Sequence, residues 1–142
     1  MSPDVPAVVL AVVAAWHAAF QVTVTALVYP VLLARSTREF AASHDAHSRR
    51  ITLVVGPTYL AVLLACGWAV AAGGLGPTGV LAVLAQALVL ALTAVAAAPT
   101  HGALGRRGPD PVLVRRLRRA DLARTVVALA GLVAACVAVA SG

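Results

Sequence analysis

Long runs of apolar residues alternate with short polar segments along this chain. The runs cover about residues 5–34, 51–72, 78–98 and 121–140. A helix needs about 20 apolar residues to cross the hydrocarbon core of a membrane, and each run is of that length. The runs lack the alternation of polar and apolar residues that is typical of barrel strands. The pattern therefore predicts an all-α integral membrane protein, with a single transmembrane domain of four spans over 1–142.

The polar segments between the runs predict how the spans are connected and oriented. Residues 73–79, Gly-Gly-Leu-Gly-Pro-Thr-Gly, are uncharged and rich in turn-forming residues, which predicts an antiparallel hairpin of spans two and three. The other two segments carry the basic residues, and positive charge marks the cytoplasmic side of a span. We therefore predict an antiparallel four-helix bundle in the inner (plasma) membrane, with both chain ends outside.

Both cytoplasmic segments carry signals of helix starts. Ser36 and Glu39 fit a capping box, in which both side chains bond to free amides of the first turn. The side chains that follow recur on one helical face, at Phe40, His44, His47 and Ile51. Asp110 before Pro111 fits an N-cap followed by proline at the first helical position. We predict a short cytoplasmic amphipathic helix before the second span and a basic amphipathic turn before the fourth.

Composition and charge narrow the class of protein further. Of the 142 residues, 61% are hydrophobic and 11% are charged, and the mean hydropathy is +0.95, which excludes a water-soluble domain. The net charge of +6 comes from arginines that flank the spans, so we assign it to topology and anionic lipid, not to nucleic acid. Cys66 and Cys136 lie inside apolar runs and predict no disulfide framework. Asp121 and Arg124, three residues apart, predict an ion pair or an N-cap.

Polar side chains inside two of the spans form a candidate catalytic site. Span one carries His17, Gln21 and Thr25 on one helical side, and span three carries Gln86 and Thr93 two turns apart. Polar groups are costly within a membrane, so a function or a structural bond must retain them. If the two spans are neighbours, His17, Gln21 and Gln86 line a substrate or proton pocket. The alternative is interhelical hydrogen bonding that holds the bundle together.

Three histidines near the cytoplasmic edge form a candidate metal site. His44 and His47 share one face of the predicted amphipathic helix, and His101 ends the third span on the same membrane side. Neutral imidazole is a common ligand of iron, copper and zinc. The sequence therefore predicts a transition-metal site at His44, His47 and His101. The alternative is that these rings bond only to lipid headgroups or to backbone carbonyls.

Several short motifs extend over most of the chain. They are Val28-Tyr29-Pro30, the segment from Phe40 to Arg50 with its two histidines, Val54-Val55-Gly56-Pro57, Pro99-Thr100-His101-Gly102-Ala103-Leu104, and the stretch from Arg116 to Thr125. In these motifs the chain resembles a largely uncharacterised group of small bacterial four-helix membrane proteins. It is distantly similar to membrane proteins of the anthrone-oxygenase type. The resemblance implies a four-helix membrane fold and an oxidative enzyme of natural-product biosynthesis.

These observations support one leading function and two alternatives. We expect a small membrane oxidoreductase, dependent on a transition metal and acting on a lipophilic small molecule that reaches it from the bilayer. One alternative is a non-catalytic membrane subunit or scaffold whose basic cytoplasmic face binds a partner. The other is a small transporter, which needs several copies to build a complete path. Small residues along the spans predict self-association into a homo-oligomer.

Overall fold

A computed structural model describes residues 4–142, and this part of the chain is helical with no strand. Four helices are long and apolar enough to cross a membrane, as expected for a multi-pass membrane protein. Short connections join them in chain order. The helices are α1 (Val5–Leu33), α2 (Thr37–Ala72), α3 (Pro77–Arg107) and α4 (Pro111–Ser141).

The segment predicted as a short amphipathic helix before the second span is helical, but it is continuous with that span. The 36 residues of α2 run without a break through the histidine-bearing segment and the apolar run. The fourth helix is likewise continuous and begins at Pro111, not near Asp121. At 1.5 Å per residue α2 is about 54 Å long, whereas the hydrocarbon core is about 30 Å thick. A polar helix end can therefore project from the membrane without needing a turn.

The two helix starts differ in how they are capped. The Oδ1 atom of Asp110 accepts hydrogen bonds from the backbone N–H groups of Val112 and Leu113, at 2.7 and 3.1 Å, so the predicted N-cap is confirmed. The predicted capping box at Ser36 has a different form. The Ser36 hydroxyl donates to the carboxylate of Glu39 at 2.8 Å, and neither side chain bonds to a free amide of the helix.

Helices α1 and α3 each contain one widened π-helical turn, at Val24–Val28 and Thr93–Ala97. Each turn lies just before a proline, Pro30 in α1 and Pro99 in α3. Proline lacks an N–H group, and its ring collides with the carbonyl four residues earlier in a regular helix. A widened turn relieves this collision, and such turns are frequent at functional sites.

The four helices pack unevenly. Helix α4 packs closely against α1 and α3 through small residues, and a Cβ atom added at Gly131 would lie 2.9 Å from the Cβ of Ala85. Helix α2 packs against α1, where the indole N–H of Trp16 donates to Thr58 Oγ1 at 2.9 Å. It touches α3 at only a few positions. The bundle is therefore tight around α4 and loose between α2 and α3.

Large apolar side chains cover the outside of the bundle. Leu53, Leu64 and Val133 have 76%, 64% and 62% of their surface exposed, and many further leucines and valines are similar. A water-soluble protein rarely exposes apolar patches of this extent. The outward-facing residues of the four helices are therefore suited to contact lipid.

Candidate functional site

A partly open cavity of about 360 Å³ lies between α2 and α3, with α1 and α4 behind it. Its volume falls within the range of small-molecule sites, roughly 300–1,000 Å³. The wall is mostly apolar, and each helix adds a polar side chain. These are Tyr29 from α1, Tyr59 from α2, His101 from α3 and Arg124 from α4. The loose contact between α2 and α3 leaves the cavity partly open on that side.

A buried ion pair forms the polar wall supplied by α4. Arg124 Nη2 donates to Asp121 Oδ1 at 2.7 Å, and the two residues are only 5% and 2% exposed. Nη1 of Arg124 donates to Thr93 Oγ1 at 3.2 Å. The second carboxylate oxygen of Asp121 accepts from the Thr25 hydroxyl at 2.5 Å, and Thr25 contacts Thr125 at 2.6 Å. Thr25 of α1 and Thr93 of α3 thus supply polar partners to the ion pair of α4.

Two tyrosines, Tyr29 and Tyr59, line this cavity. Tyr29 is only 7% exposed. The Tyr59 hydroxyl lies 3.0 Å from Thr93 Oγ1, so it shares that threonine with Arg124. The packing of α1 and α2 turns both rings inward.

The structure brings the three predicted metal ligands together at the end of the cavity. His44 Nε2 and His101 Nδ1 are 2.9 Å apart, and one donates a hydrogen bond to the other. The ring centres of these two residues are 4.3 Å apart, and those of His47 and His101 are 5.7 Å apart. The ring of Phe40 packs against His44 at 5.6 Å. A Cβ atom at Gly105 would lie 2.8 Å from the His44 ring, so the ring can lie here because residue 105 has no side chain.

The donor set suits a transition metal, although its geometry is not that of a formed metal site. Three imidazoles are typical ligands of iron, copper and zinc. Two orphan nitrogens, His44 Nδ1 and His101 Nε2, are buried with no hydrogen-bond partner in the described chain. Within residues 4–142 no three His, Cys, Asp or Glu side chains are already arranged around one point. Metal binding requires the His44–His101 hydrogen bond to open, and the metal site stays a prediction.

The predicted catalytic residues form a second buried cluster. His17 Nδ1 lies 2.6 Å from Gln86 Oε1, and Gln21 Nε2 lies 3.4 Å from His17 Nε2. All three side chains are at most 1% exposed. The contact confirms that spans one and three bring these residues to the same depth. None of the three is among the residues that line the cavity in the described part of the chain. They lie behind Tyr59, whose ring meets that of His17 edge-on at 5.6 Å.

The sequence pattern did not reveal the role of Asp121, Arg124 and Tyr59 in this site. It predicted a pair or an N-cap for the two charged residues. The pair is confirmed, and the N-cap is wrong because α4 begins at Pro111. One signal could have identified the burial of this pair, since Asp121 and Arg124 are followed directly by an apolar run. Charged residues at that position are costly unless they are paired and buried.

Comparisons with models of protein families, with curated proteins and with solved structures find no match to this chain. The resemblance to small bacterial four-helix membrane proteins therefore stays a prediction. Any function must be argued from the cavity and from the side chains around it.

Proposed function

We propose that this chain is a membrane-embedded enzyme that oxidises or reduces a lipophilic small molecule drawn from the bilayer. In this proposal a transition metal is held by His44, His47 and His101. The cavity between α2 and α3 is the observation that carries it. A binding site for a lipophilic molecule needs an apolar wall, a few convergent polar groups and access from the lipid. The cavity combines all three features.

In this proposal some residues of the cavity bind the substrate and others take part in the reaction. Apolar side chains of α1 and α2, such as Phe20, Ile51 and Val55, hold the hydrocarbon part of the substrate. Arg124 and Tyr59 orient its polar group at the inner wall. A transition metal bound at the histidines supplies the redox chemistry, and two of those histidines, His47 and His101, line the cavity. The lipid-facing outer surface keeps bulk water away from this side of the site.

A second candidate function is proton transfer without a metal. It is favoured by the 2.9 Å contact between His44 Nε2 and His101 Nδ1, which leaves the buried His101 Nε2 without a partner, in a residue that lines the cavity. Asp45 Oδ1 lies 3.7 Å from His44 Nδ1 and is exposed, so it can exchange protons with water. Such a chain supports an isomerisation in which His101 removes and returns a proton.

We also propose that the histidine end of the bundle faces the cytoplasm and that both chain ends lie outside the plasma membrane, in an antiparallel bundle. Arginine is concentrated at that end, where Arg115, Arg116, Arg118 and Arg119 are exposed on α4. The helices are longer than the hydrocarbon core, so these side chains can reach the headgroup region. Positive charge on the cytoplasmic side is the usual determinant of orientation.

Metal analysis of the purified protein tests the oxidoreductase proposal. We expect about one transition-metal ion per chain in the wild type, because three neutral imidazoles can bind one ion. The His101→Ala variant should lose at least roughly 90% of that metal, because it removes one of three ligands and even the loss of an outer-shell partner of a ligand weakens metal affinity about 10- to 100-fold. The His17→Ala variant is the matched control, because His17 is buried in the other cluster and should leave the metal content unchanged.

Two results of the metal measurement contradict the proposal. A wild-type protein that stays metal-free after incubation with iron, copper and zinc excludes the metal site. If the His17→Ala and His101→Ala variants contain equal amounts of metal, any bound metal lies at another site. Either outcome refutes the metal-dependent oxidoreductase and leaves metal-free proton transfer as one of the remaining candidates.

A further inference from the structure

A second cavity, partly open and about 440 Å³ in volume, lies between the end of α1 and the first half of α2. Among the residues described, it shares only His47 with the cavity between α2 and α3. Its α1 side is apolar, and two of the residues there, Leu27 and Val31, are 64% and 60% exposed to the outside of the bundle. A hydrocarbon chain of the bilayer can therefore reach this side of the cavity and pack against it.

Two arginines, Arg35 and Arg50, also line this second cavity, and no acidic side chain does so in the part of the chain described. Both arginines are exposed, and among the described residues neither takes part in an ion pair. The acidic residues nearest to them in sequence, Glu39 and Asp45, contact a serine hydroxyl and a histidine ring. The second cavity therefore carries positive charge that a negative group of a ligand can balance.

The apolar wall and the two guanidinium groups together indicate the class of ligand. Guanidinium donates paired hydrogen bonds to the oxygens of a phosphate group. Basic pockets between transmembrane helices are typical sites for anionic lipid headgroups. A zwitterionic headgroup would bring its own cation close to the arginines, and a free phosphate ion would leave the apolar wall unused. An anionic phospholipid matches both parts of the second cavity.

We infer that the second cavity binds one anionic phospholipid, whose phosphate is held by Arg35 and Arg50 and whose acyl chain lies along Leu27 and Val31. Arg35 follows the apolar run of α1, and Arg50 directly precedes that of α2, so both lie near the level of the lipid phosphates. Long arginine side chains can extend to that level while their stems stay on apolar surface. This site needs neither the metal nor the substrate of the proposed function.

Native mass spectrometry of the delipidated protein in detergent tests this inference, because it resolves the first bound lipid from later ones. The protein is titrated with phosphatidylglycerol or with phosphatidylcholine of the same acyl chains, which differ in net charge alone among the features that matter here. We expect the first phosphatidylglycerol to bind roughly 10-fold more tightly than the first phosphatidylcholine, as hydrogen bonds between charged groups allow. Excess glycerol 3-phosphate, which lacks acyl chains, should not displace the bound lipid.

Two double variants separate a defined site from general attraction between an arginine-rich surface and anionic lipid. Arg35→Gln with Arg50→Gln should reduce the preference for phosphatidylglycerol to less than about 3-fold, because both phosphate donors of the site are lost. Arg115→Gln with Arg119→Gln removes the same charge from exposed positions of α4 that do not line the second cavity. This control should keep the preference of the wild type.

A substitution that keeps every charge tests the place of the acyl chain. Ala46 lines the second cavity, so Ala46→Trp fills it and should weaken the binding of the first phosphatidylglycerol roughly 10-fold. Ala41 is exposed on the same helix and does not line this cavity, so Ala41→Trp should bind the lipid as the wild type does.

Four results would overturn the inference. Equal binding of the two lipids by the wild type means that the second cavity does not select negative charge. Equal losses in the two double variants mean that the arginines attract anionic lipid without a site. Displacement by glycerol 3-phosphate, or unchanged binding in Ala46→Trp, means that the acyl chain is not held in the second cavity. The wild-type titrations and the Ala46→Trp variant decide the question even if the Arg35 and Arg50 double variant does not fold.

Discussion

Replacement of Arg124 by methionine should destabilise the protein by about 3–5 kcal/mol, the usual effect of removing one partner of a buried ion pair. The substitution leaves the carboxylate of Asp121, which is only 2% exposed, without its cation. The hydroxyl of Thr25 alone cannot replace a charged donor at 2.7 Å. Reversible unfolding in mixed micelles of detergent and SDS, followed by circular dichroism, measures the free energy of unfolding.

The control for this prediction also removes the negative charge of Asp121. The double variant Asp121→Asn with Arg124→Met should recover most of the stability that Arg124→Met loses, because no charge remains unpaired. The Arg118→Met variant, at an exposed position of the same helix, should change the free energy of unfolding by less than about 0.5 kcal/mol. A loss below about 1 kcal/mol in Arg124→Met itself would mean that the pair is hydrated, contrary to its burial between the helices.

Replacement of Phe40 by alanine should destabilise the protein by about 3–5 kcal/mol, as is typical of a phenylalanine deleted from a packed core. Phe40 is 1% exposed and belongs to a core cluster with Tyr29, Leu104 and Leu117. This cluster holds the arginine-bearing ends of the four helices together. The ring of Phe40 also supports that of His44, so the same substitution should loosen the histidine cluster.

An exposed apolar residue of the same helix provides the control for Phe40. Leu53 is 76% exposed to the outside of the bundle, where lipid can fill the space that a smaller side chain leaves. The Leu53→Ala variant should therefore lose less than about 1 kcal/mol, because no enclosed cavity forms. Equal losses in the two variants, measured by the same unfolding assay, would contradict the assigned packing of α2.

The sequence predicted the helices well because lipid imposes a simple rule on them. A spanning segment must satisfy its backbone internally and present apolar side chains, so hydropathy alone identifies it. The ends of α2 and α4 were harder to predict, since the boundary between water and hydrocarbon does not require the helix to break. The prediction began spans two and four at about residues 51 and 121, where polarity changes, whereas α2 is one helix from Thr37 to Ala72.

The candidate site was predictable only where one helix carries a periodic signal. His17 and Gln21 lie four residues apart on α1, and the sequence placed His17 at about the same depth as Gln86. The structure contains the contact between His17 and Gln86 that this placement suggests. The convergence of Arg124 with Tyr59 depends on how four helices rotate about their axes, which a single sequence does not reveal. The hydropathy of a segment is also the same whether an ion pair within it is buried or exposed.

The polar groups of the interior follow one another from the His17 cluster to the histidine end. The ring of His17 contacts that of Tyr59, and Tyr59 shares Thr93 with Arg124. The rings of Tyr29 and His101 are tilted to each other, with centres 6.3 Å apart. In the proposed function only the members of this series that line the cavity, namely Tyr29, Tyr59, Thr93, His101 and Arg124, can contact the substrate.

Photolabelling in nanodiscs tests most directly whether lipophilic molecules enter the cavity from the bilayer. The probe is a long-chain ketone that carries a diazirine, and mass spectrometry of the digested protein identifies the labelled residues. We predict label at Ile51 and Val55, competed by excess unlabelled ketone and lost when Val55→Trp fills the cavity. The lipid-facing Leu63→Trp variant should keep this label. Label spread evenly over outward-facing residues, without competition and unchanged by Val55→Trp, would contradict entry of lipophilic molecules into the cavity.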